Sequence, residues 1–371
     1  MIVFDPQGQF SAEGPDMPIK LSEWARVYGR DVRKLSIATD IRLPQENELF
    51  MELIQRTRFY QQLSIKAGDN RESARYEFKR VLQAQTNWHE TETEGLLRAL
   101  LSGVSGDTAA MTRIYASPTP RARVADAMDR MLSDSTEFAE MMSIVRPVHD
   151  LFREMKPDGT SRRVSLYGLI QSAISASESP KPYIVINLSA PAGAAWLGSE
   201  EITARLIHTI AKHLRRQAET QFQESKVRAN CVVVFDEGQR FANASTGDGD
   251  VSDLANFLVA AVRETRKIGI GWTFITQQLR SLHPSIYAQL AVKAFGYGLT
   301  TGSDISLLKD EIGVGGAFDL YQSFSNPSSR AGARSYPFMI AGPISPLSFT
   351  SAPVFLDVFT DVDEFRQANQ R

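Results

Sequence analysis

The sequence predicts an α/β protein: a mostly parallel sheet with helices on both faces, carrying a large, mainly helical insertion. Three observations predict it. From residue 182 onward, short apolar runs alternate with amphipathic helical stretches, the pattern of a parallel sheet covered on both faces. The chain also opens on a strand, Ile2-Val3-Phe4, followed by Asp5 and a Pro6-Gln7-Gly8 turn. Between these, from about Leu21 to Ser175, β-signals nearly vanish and apolar residues recur at helical intervals. The organisation expected is therefore 1–20, the start of the sheet core, then 21–175, the insertion, then 176–371, the remainder of the core.

Each element has its own signal. In the insertion, ENELFMELIQRTRFYQQL (46–63), SARYEFKRVLQ (73–83), ETEGLLRALLSG (92–103) and VADAMDRMLSDSTEFAEMMSIVRPVHDLF (124–152) carry helical periodicity. KLSIATDIRLP (34–44) is a short extended piece near its start. Strand character returns at PYIVINLS (182–189). The next helix, EEITARLIHTIAKHLRRQAE, sets Ile202, Leu206, Ile207, Ile210 and Leu214 along one face. A buried strand at 231–235 and a Gly/Ser/Asp loop (ANASTGDGD) lead into a helix from about Asp250 to Lys267. GIGWTFITQQ gives another buried strand and VKAFGYGLTT one more, and both continue the alternation that predicts the parallel sheet. PFMIAGP and APVFLDVF are late strands, and GVGG (313–316) reads as the termination of the helix LLKDEI.

Composition narrows the class. The chain has 371 residues, a net charge of −2 and one cysteine. It is long enough for a sizeable core, carries no global basic signature for nucleic acid, and cannot build an intrachain disulfide framework. No apolar run approaches the roughly 20 residues of a membrane helix, and the N-terminus lacks a basic leader, so a cytoplasmic protein is expected. The five histidines show no metal-ligand spacing, and Cys231 at a strand start reads as a small buried hydrophobe. Arg71, Arg75, Lys79 and Arg80 alternate with acids and read as a solvated face.

Chemistry concentrates after residue 230. In CVVVFDEGQRF an apolar strand delivers Asp236 and Glu237 to its C-terminal edge, where open α/β sheets bind ligands. Such a pair suits a magnesium ion and an oriented water. The helix DLANFLVAAVRETRK places Arg263 and Lys267 opposite its apolar stripe and Arg266 on its flank. Those cations fit either compensation of the helix dipole or an arginine offered to a phosphate. Gln277, at the tip of FITQQ, is placed to meet a γ-phosphate or the attacking water, or simply ends its strand.

Together, VVVFDEGQRF, RETRKIGIGWTFITQQ and LAVKAFGYGLTTGSDISLLKDEIG resemble the HerA/FtsK-type ATPases, HerA-like proteins above all. MIVFDPQGQFS resembles the family's D-P-H-G-E-Y strand, YIVINLSAPAG the strand opening the second half of the motor, and PFMIAGP with APVFLDVF its C-terminal strands. The resemblance covers 1–20 and about 182–360. It implies a RecA-like fold, ATP and Mg2+ as cofactors, a homo-oligomeric hexameric ring, double-stranded DNA as the track and a nuclease or other effector as partner. It also implies roles: Asp236 for magnesium, Glu237 for water, Gln277 for the γ-phosphate, and Arg266, with Arg263 in reserve, for the adjacent subunit's site. The family's DEAH stands here as Asp236-Glu237-Gly238-Gln239, its R-x-G-R-K as Arg263-Glu264-Thr265-Arg266-Lys267, and the glutamate of D-P-H-G-E-Y as Gln9. No G-x-x-x-x-G-K-[ST] loop, and no Gly-Lys dipeptide, occurs in the sequence. Two expectations follow: a motor core whose phosphate loop comes from a preceding segment or a separate polypeptide, or a non-hydrolysing scaffold subunit of a HerA-like complex.

Overall fold

The computed structural model describes residues 1–12, 21–156, 158–175, 180–190, 195–244, 247, 249–299, 302–327, 336–344 and 352–369. In chain order the elements are β1 (Ile2–Asp5), α1 (Leu21–Val27), β2 (Val32–Ser36), β3 (Ile41–Arg42), α2 (Asn47–Gln55), α3 (Phe59–Gln62), α4 (Asp69–Ala84), α5 (Thr93–Ser105), α6 (Thr108–Ile114), α7 (Pro118–Ser133) and α8 (Ser135–Asp150). They continue with β4 (Val164–Ser165), α9 (Leu166–Ile174), β5 (Tyr183–Asn187), α10 (Glu200–Ser225), β6 (Cys231–Phe235), α11 (Asp250–Glu264), β7 (Ile270–Phe274), α12 (Pro284–Tyr287) and β8 (Lys293–Phe295). Last come α13 (Gly302–Ile312), α14 (Gly316–Gln322), β9 (Pro337–Ala341), β10 (Val354–Asp357) and α15 (Val362–Asn369).

The chain packs as two compact units. One comprises Met1–Arg33, Ala173–Val185 and Ala204–Arg371. The main sheet has the order β2-β5-β1-β6-β7 and is mainly parallel; β6 pairs in parallel with both β1 and β7. The expected α/β class is what the structure has. β1 is buried along its whole length, as the apolar run Ile2-Val3-Phe4 requires. The stripe expected on α10 is buried throughout.

The strands at 231–235 and 270–274 depart from the expectation of full burial. Val232 is 43% exposed, and Gly271 and Thr273, on the same face, are exposed as well. β7 is an edge strand, and among the described residues no helix covers this part of that face. A second correction concerns VKAFGYGLTT. Its strand, β8, does not continue the parallel sheet but lies in a separate antiparallel sheet of order β10-β9-β8, backed by a small core that includes Phe295, Leu308, Phe318, Tyr321 and Met339. Thr300 and Thr301, the end of that predicted strand, lie outside the described residues, as do Ser245, Thr246 and Asp248 of the ANASTGDGD loop. Gly313, at φ 78°, ends α13, with its N–H donating to the Lys309 carbonyl at 2.8 Å.

The other unit, Lys34–Ser172 with Ile186–Thr203, is mainly helical. Leu96, Leu97, Leu100, Leu101 and Val104 line the buried face of α5 at helical spacing. Where the sequence suggested one helical run from 124 to 152, the structure breaks it at Asp134. The Asp134 carboxylate accepts from the N–H groups of Thr136 (2.7 Å) and Glu137 (3.0 Å), so it caps α8 and stops α7. Three of the four basic residues of α4 are paired: Arg75 with Glu48 and Glu72, Lys79 with Glu48, and Arg80 with Glu77 and Asp107; Arg71 is not. That is a charge-balanced face rather than a basic patch. Among the described residues, no helix is long and apolar enough to cross a membrane.

Candidate functional site

Strand β6 ends by handing two carboxylates to the C-terminal edge of the sheet. Asp236 is 9% exposed and has no cation partner among the described residues. Desolvation first, then the Glu237 charge, raise its pKa, and the charge of Asp5 adds to this. Asp5 arrives there because β1 lies beside β6 with Phe4 opposite Phe235. Its own carboxylate is already occupied: it accepts from Gln9 N–H (2.9 Å), Ser11 N–H (2.8 Å) and Ser11 Oγ–H (2.7 Å). Asp5 therefore shapes the turn after β1, while Asp236, which accepts from the backbone N–H of Glu237, has no side-chain partner among the described residues. A buried carboxylate with no cation beside it among the described residues fits a hard divalent cation, and Asp236 is the residue that would hold one.

Glu237 sits at φ 52°, ψ 44°, a left-handed conformation that non-glycine residues adopt at a cost and mostly at functional corners. The turn is fixed by Gly238, whose N–H donates to the Ile275 carbonyl at 2.7 Å. A Cβ on Gly238 would lie 3.1 Å from Cβ of Phe274, so this close approach of the two loops favours glycine. The approach brings Gln277 to Glu237: Nε2 of Gln277 donates to Oε1 of Glu237 at 3.0 Å. Gln239 Nε2 donates to the other oxygen, Oε2. Both carboxylate oxygens are thus held by neutral amides, which orient the group without neutralising it.

Of the residues singled out in the sequence, Asp236, Glu237 and Gln277 converge. Arg263 and Arg266 do not join them. They stand at the far end of α11 and the turn after it, beside the N-terminal ends of β6 and β7, and both are exposed. The sequence reading missed two contributors, Asp5 and Gln239. The signal for Asp5 was the apolar run before it, which is buried and in register with β6. Gln239 stood out only as a departure from a motif, and nothing in its neighbours announces the bond to Glu237. The side chain of Gln9, where the family has glutamate, donates from Nε2 to Oε1 of Gln7 in its own turn. Cys231 is buried, and burial raises its thiol pKa.

No family model matches this chain, and no curated protein matches it. Among solved structures it is similar to the genome packaging NTPase B204 from Sulfolobus turreted icosahedral virus 2. The complex with ATP-gammaS aligns at 12% identity and a TM-score of 0.31, covering 50% of this chain and 69% of that one. The AMPPCP complex aligns at 13% identity and a TM-score of 0.29, with the same coverage. At that distance the likeness does not bear on what this chain does.

Proposed function

We propose that this chain is the greater part of a HerA/FtsK-type motor core that couples ATP hydrolysis to movement along, or unwinding of, double-stranded DNA in a homohexameric, cytoplasmic ring, with a nuclease or other effector as partner. The observation that carries the reading is the meeting of Asp236, Glu237 and Gln277 at the C-terminal edge of β6 and β7. Open parallel sheets use that edge for ligands. Asp236 would hold Mg2+ through water, and Mg2+ when bound supplies charge neutralisation for the phosphates. Glu237, held at both oxygens, is oriented to accept a proton from a water, and Gln277 is within reach of the same water or a terminal phosphate. Arg266, with Arg263 in reserve, would serve the site of a neighbouring copy.

The sequence has no glycine-rich phosphate loop. The free edge of β7 and the exposed Val232 and Thr273 beside it favour a strand and helix supplied from another segment or a separate polypeptide. The missing loop also favours a second reading, a scaffold subunit of a HerA-like complex that does not hydrolyse ATP. ATP hydrolysis decides between them, measured on the 371-residue chain and on the chain joined to a strand–G-x-x-x-x-G-K-[ST]–helix segment. We expect negligible turnover by the first and Mg2+-dependent turnover by the second, abolished by Glu237→Gln with ATP binding retained. Turnover that survives Glu237→Gln would overturn the role of Glu237. An inactive joined chain that binds ATP would favour the scaffold.

A further inference from the structure

β7 ends at Phe274, before Gln277 is reached, so the strand itself does not fix the side chain that meets Glu237. The loop from Ile275 to His283 is tied on two sides instead. On the carboxylate side, Gly238 N–H donates to the Ile275 carbonyl and His283 N–H to the Ala242 carbonyl, each at 2.7 Å. On the other side the loop meets the antiparallel sheet and its backing helices. Leu279 packs against the small core of Phe295, Leu308, Phe318, Tyr321 and Met339. Arg280 N–H donates to Oδ1 of Asp304 at 3.2 Å, and Arg280 Nε donates to the Ser303 carbonyl at 3.0 Å. Ser303 and Asp304 belong to the first turn of α13. Gln278 turns back on its own loop: its Oε1 accepts from Ser281 Oγ at 2.8 Å, and its N–H donates to Thr276 Oγ1 at 3.2 Å. Successive residues thus serve different neighbours: Gln277 the carboxylate, Gln278 the loop, Leu279 and Arg280 the antiparallel layer.

We propose that the antiparallel subdomain, β8, β9 and β10 with α13 and α14, sets the position of Gln277 against Glu237, with Leu279 as its anchor and Asp304 as its latch. Both are positioning residues, since they act through Gln277. Only Gln278 separates Gln277 from Leu279, and two residues span at most about 7 Å, which leaves little slack between the two contacts. The Gln277–Glu237 bond is 3.0 Å long, and a hydrogen bond is lost beyond about 3.5 Å, so a displacement of about 1 Å at Leu279 breaks it. The coupling runs both ways: a group that draws Gln277 away from Glu237 pulls on Leu279 and on the first turn of α13. The proposal rests on the reading of Glu237 and Gln277 as one site and adds what holds that site together. Its test involves neither nucleotide nor hydrolysis.

The test reads the side-chain amide of Gln277 by NMR in the full chain labelled with 15N-glutamine. Gln277→Ala identifies the signal by its loss, and Glu237→Ala gives the position it takes without its carboxylate partner. Leu279→Ala and Asp304→Ala should each move the signal towards that position. Asp304→Asn keeps an acceptor for Arg280 N–H and should return the signal to its wild-type place. Asp310→Ala removes an exposed acid of the same helix and should leave the signal unmoved. The Asp304 pair decides on its own if Leu279→Ala does not fold. A signal that responds to Glu237→Ala but not to Asp304→Ala overturns the proposal and leaves the site intact. So does a shift in Asp310→Ala as large as that in Asp304→Ala, or a failure of Asp304→Asn to restore the signal. A signal indifferent to Glu237→Ala would instead remove the contact itself, and with it the site on which the proposed function stands.

Discussion

At the scale of single residues, two buried titratable groups make opposite demands. His149 is fully buried; its Nδ1 meets Thr93 Oγ1 at 2.9 Å and its Nε2 meets the Trp88 carbonyl at 3.1 Å. A carbonyl only accepts, so Nε2 carries the proton, Nδ1 accepts from the threonine hydroxyl, and the ring is neutral. Burial lowers its pKa from 6.5 to about 4. Between those values the unfolded chain binds a proton that the folded chain refuses, so stability falls as the pH drops through that window. The loss is on the order of 3 kcal/mol. Urea midpoints taken at intervals from pH 7 to pH 4 should therefore decline, and His149→Asn should flatten the decline; parallel curves would mean that the ring is not held neutral. Asp236 is the converse case, a carboxylate whose pKa is raised from 3.8 by desolvation. Its charge destabilises the fold at neutral pH, and the penalty fades as the pH falls from the raised value towards 3.8. Asp236→Asn should stabilise the fold at pH 7 by on the order of 1 kcal/mol, read as a higher melting temperature, and the gain should shrink on acidification. A fall in melting temperature at pH 7 would show that Asp236 serves the fold rather than a ligand.

At the scale of elements, the helices of the second unit pack more closely than their propensities suggest. Gly103 lies within α5, where alanine favours the helix by about 1 kcal/mol. Yet a Cβ at this position would fall 2.6 Å from Cγ1 of Val81 on α4. Packing is expected to override propensity, so Gly103→Ala should destabilise by about 1–3 kcal/mol. Val81→Ala in the same chain should recover part of the loss, and a double-mutant cycle from denaturant melts measures the coupling. Additive effects would mean that α4 and α5 shift apart freely. The same unit shows why its helical pattern could be read and its boundaries could not. Periodicity marks 124–152 as helix, but the break at Asp134 depends on a short polar side chain turning back on two backbone amides.

At the scale of the whole molecule, the proposed ring makes a demand no single copy meets, because Arg263 and Arg266 lie at the opposite edge of the sheet from Glu237. In a chain carrying the added phosphate loop, Arg266→Ala should cut turnover on the order of 10³-fold while leaving ATP affinity nearly intact. Mixing it with the Glu237→Gln variant should restore part of the activity once subunit exchange has been demonstrated. If exchange occurs and no mixture exceeds either variant alone, Arg266 does not act across an interface.

The sequence by itself determined the fold class, because short apolar runs alternating with helical stripes are what a parallel sheet covered by helices requires. It also determined where the acids fall: a strand ending in Asp236 and Glu237 must present them at its C-terminal edge. The tertiary structure alone decided which strands share a sheet. VKAF reads like any other apolar strand, and only its partners, Pro337–Ala341 and Val354–Asp357, place it in a separate antiparallel sheet. It alone decided that β6 and β7 are half open, since a sequence does not say which strand lies at an edge. It alone joined Gln239 and Gln277 to Glu237, and Arg280 to Asp304. The meeting of Gln277 with Glu237 comes from a close backbone approach at Gly238 between segments distant in the chain. The physical reason is the same in each case: periodicity records whether a residue is buried, but not which neighbour buries it.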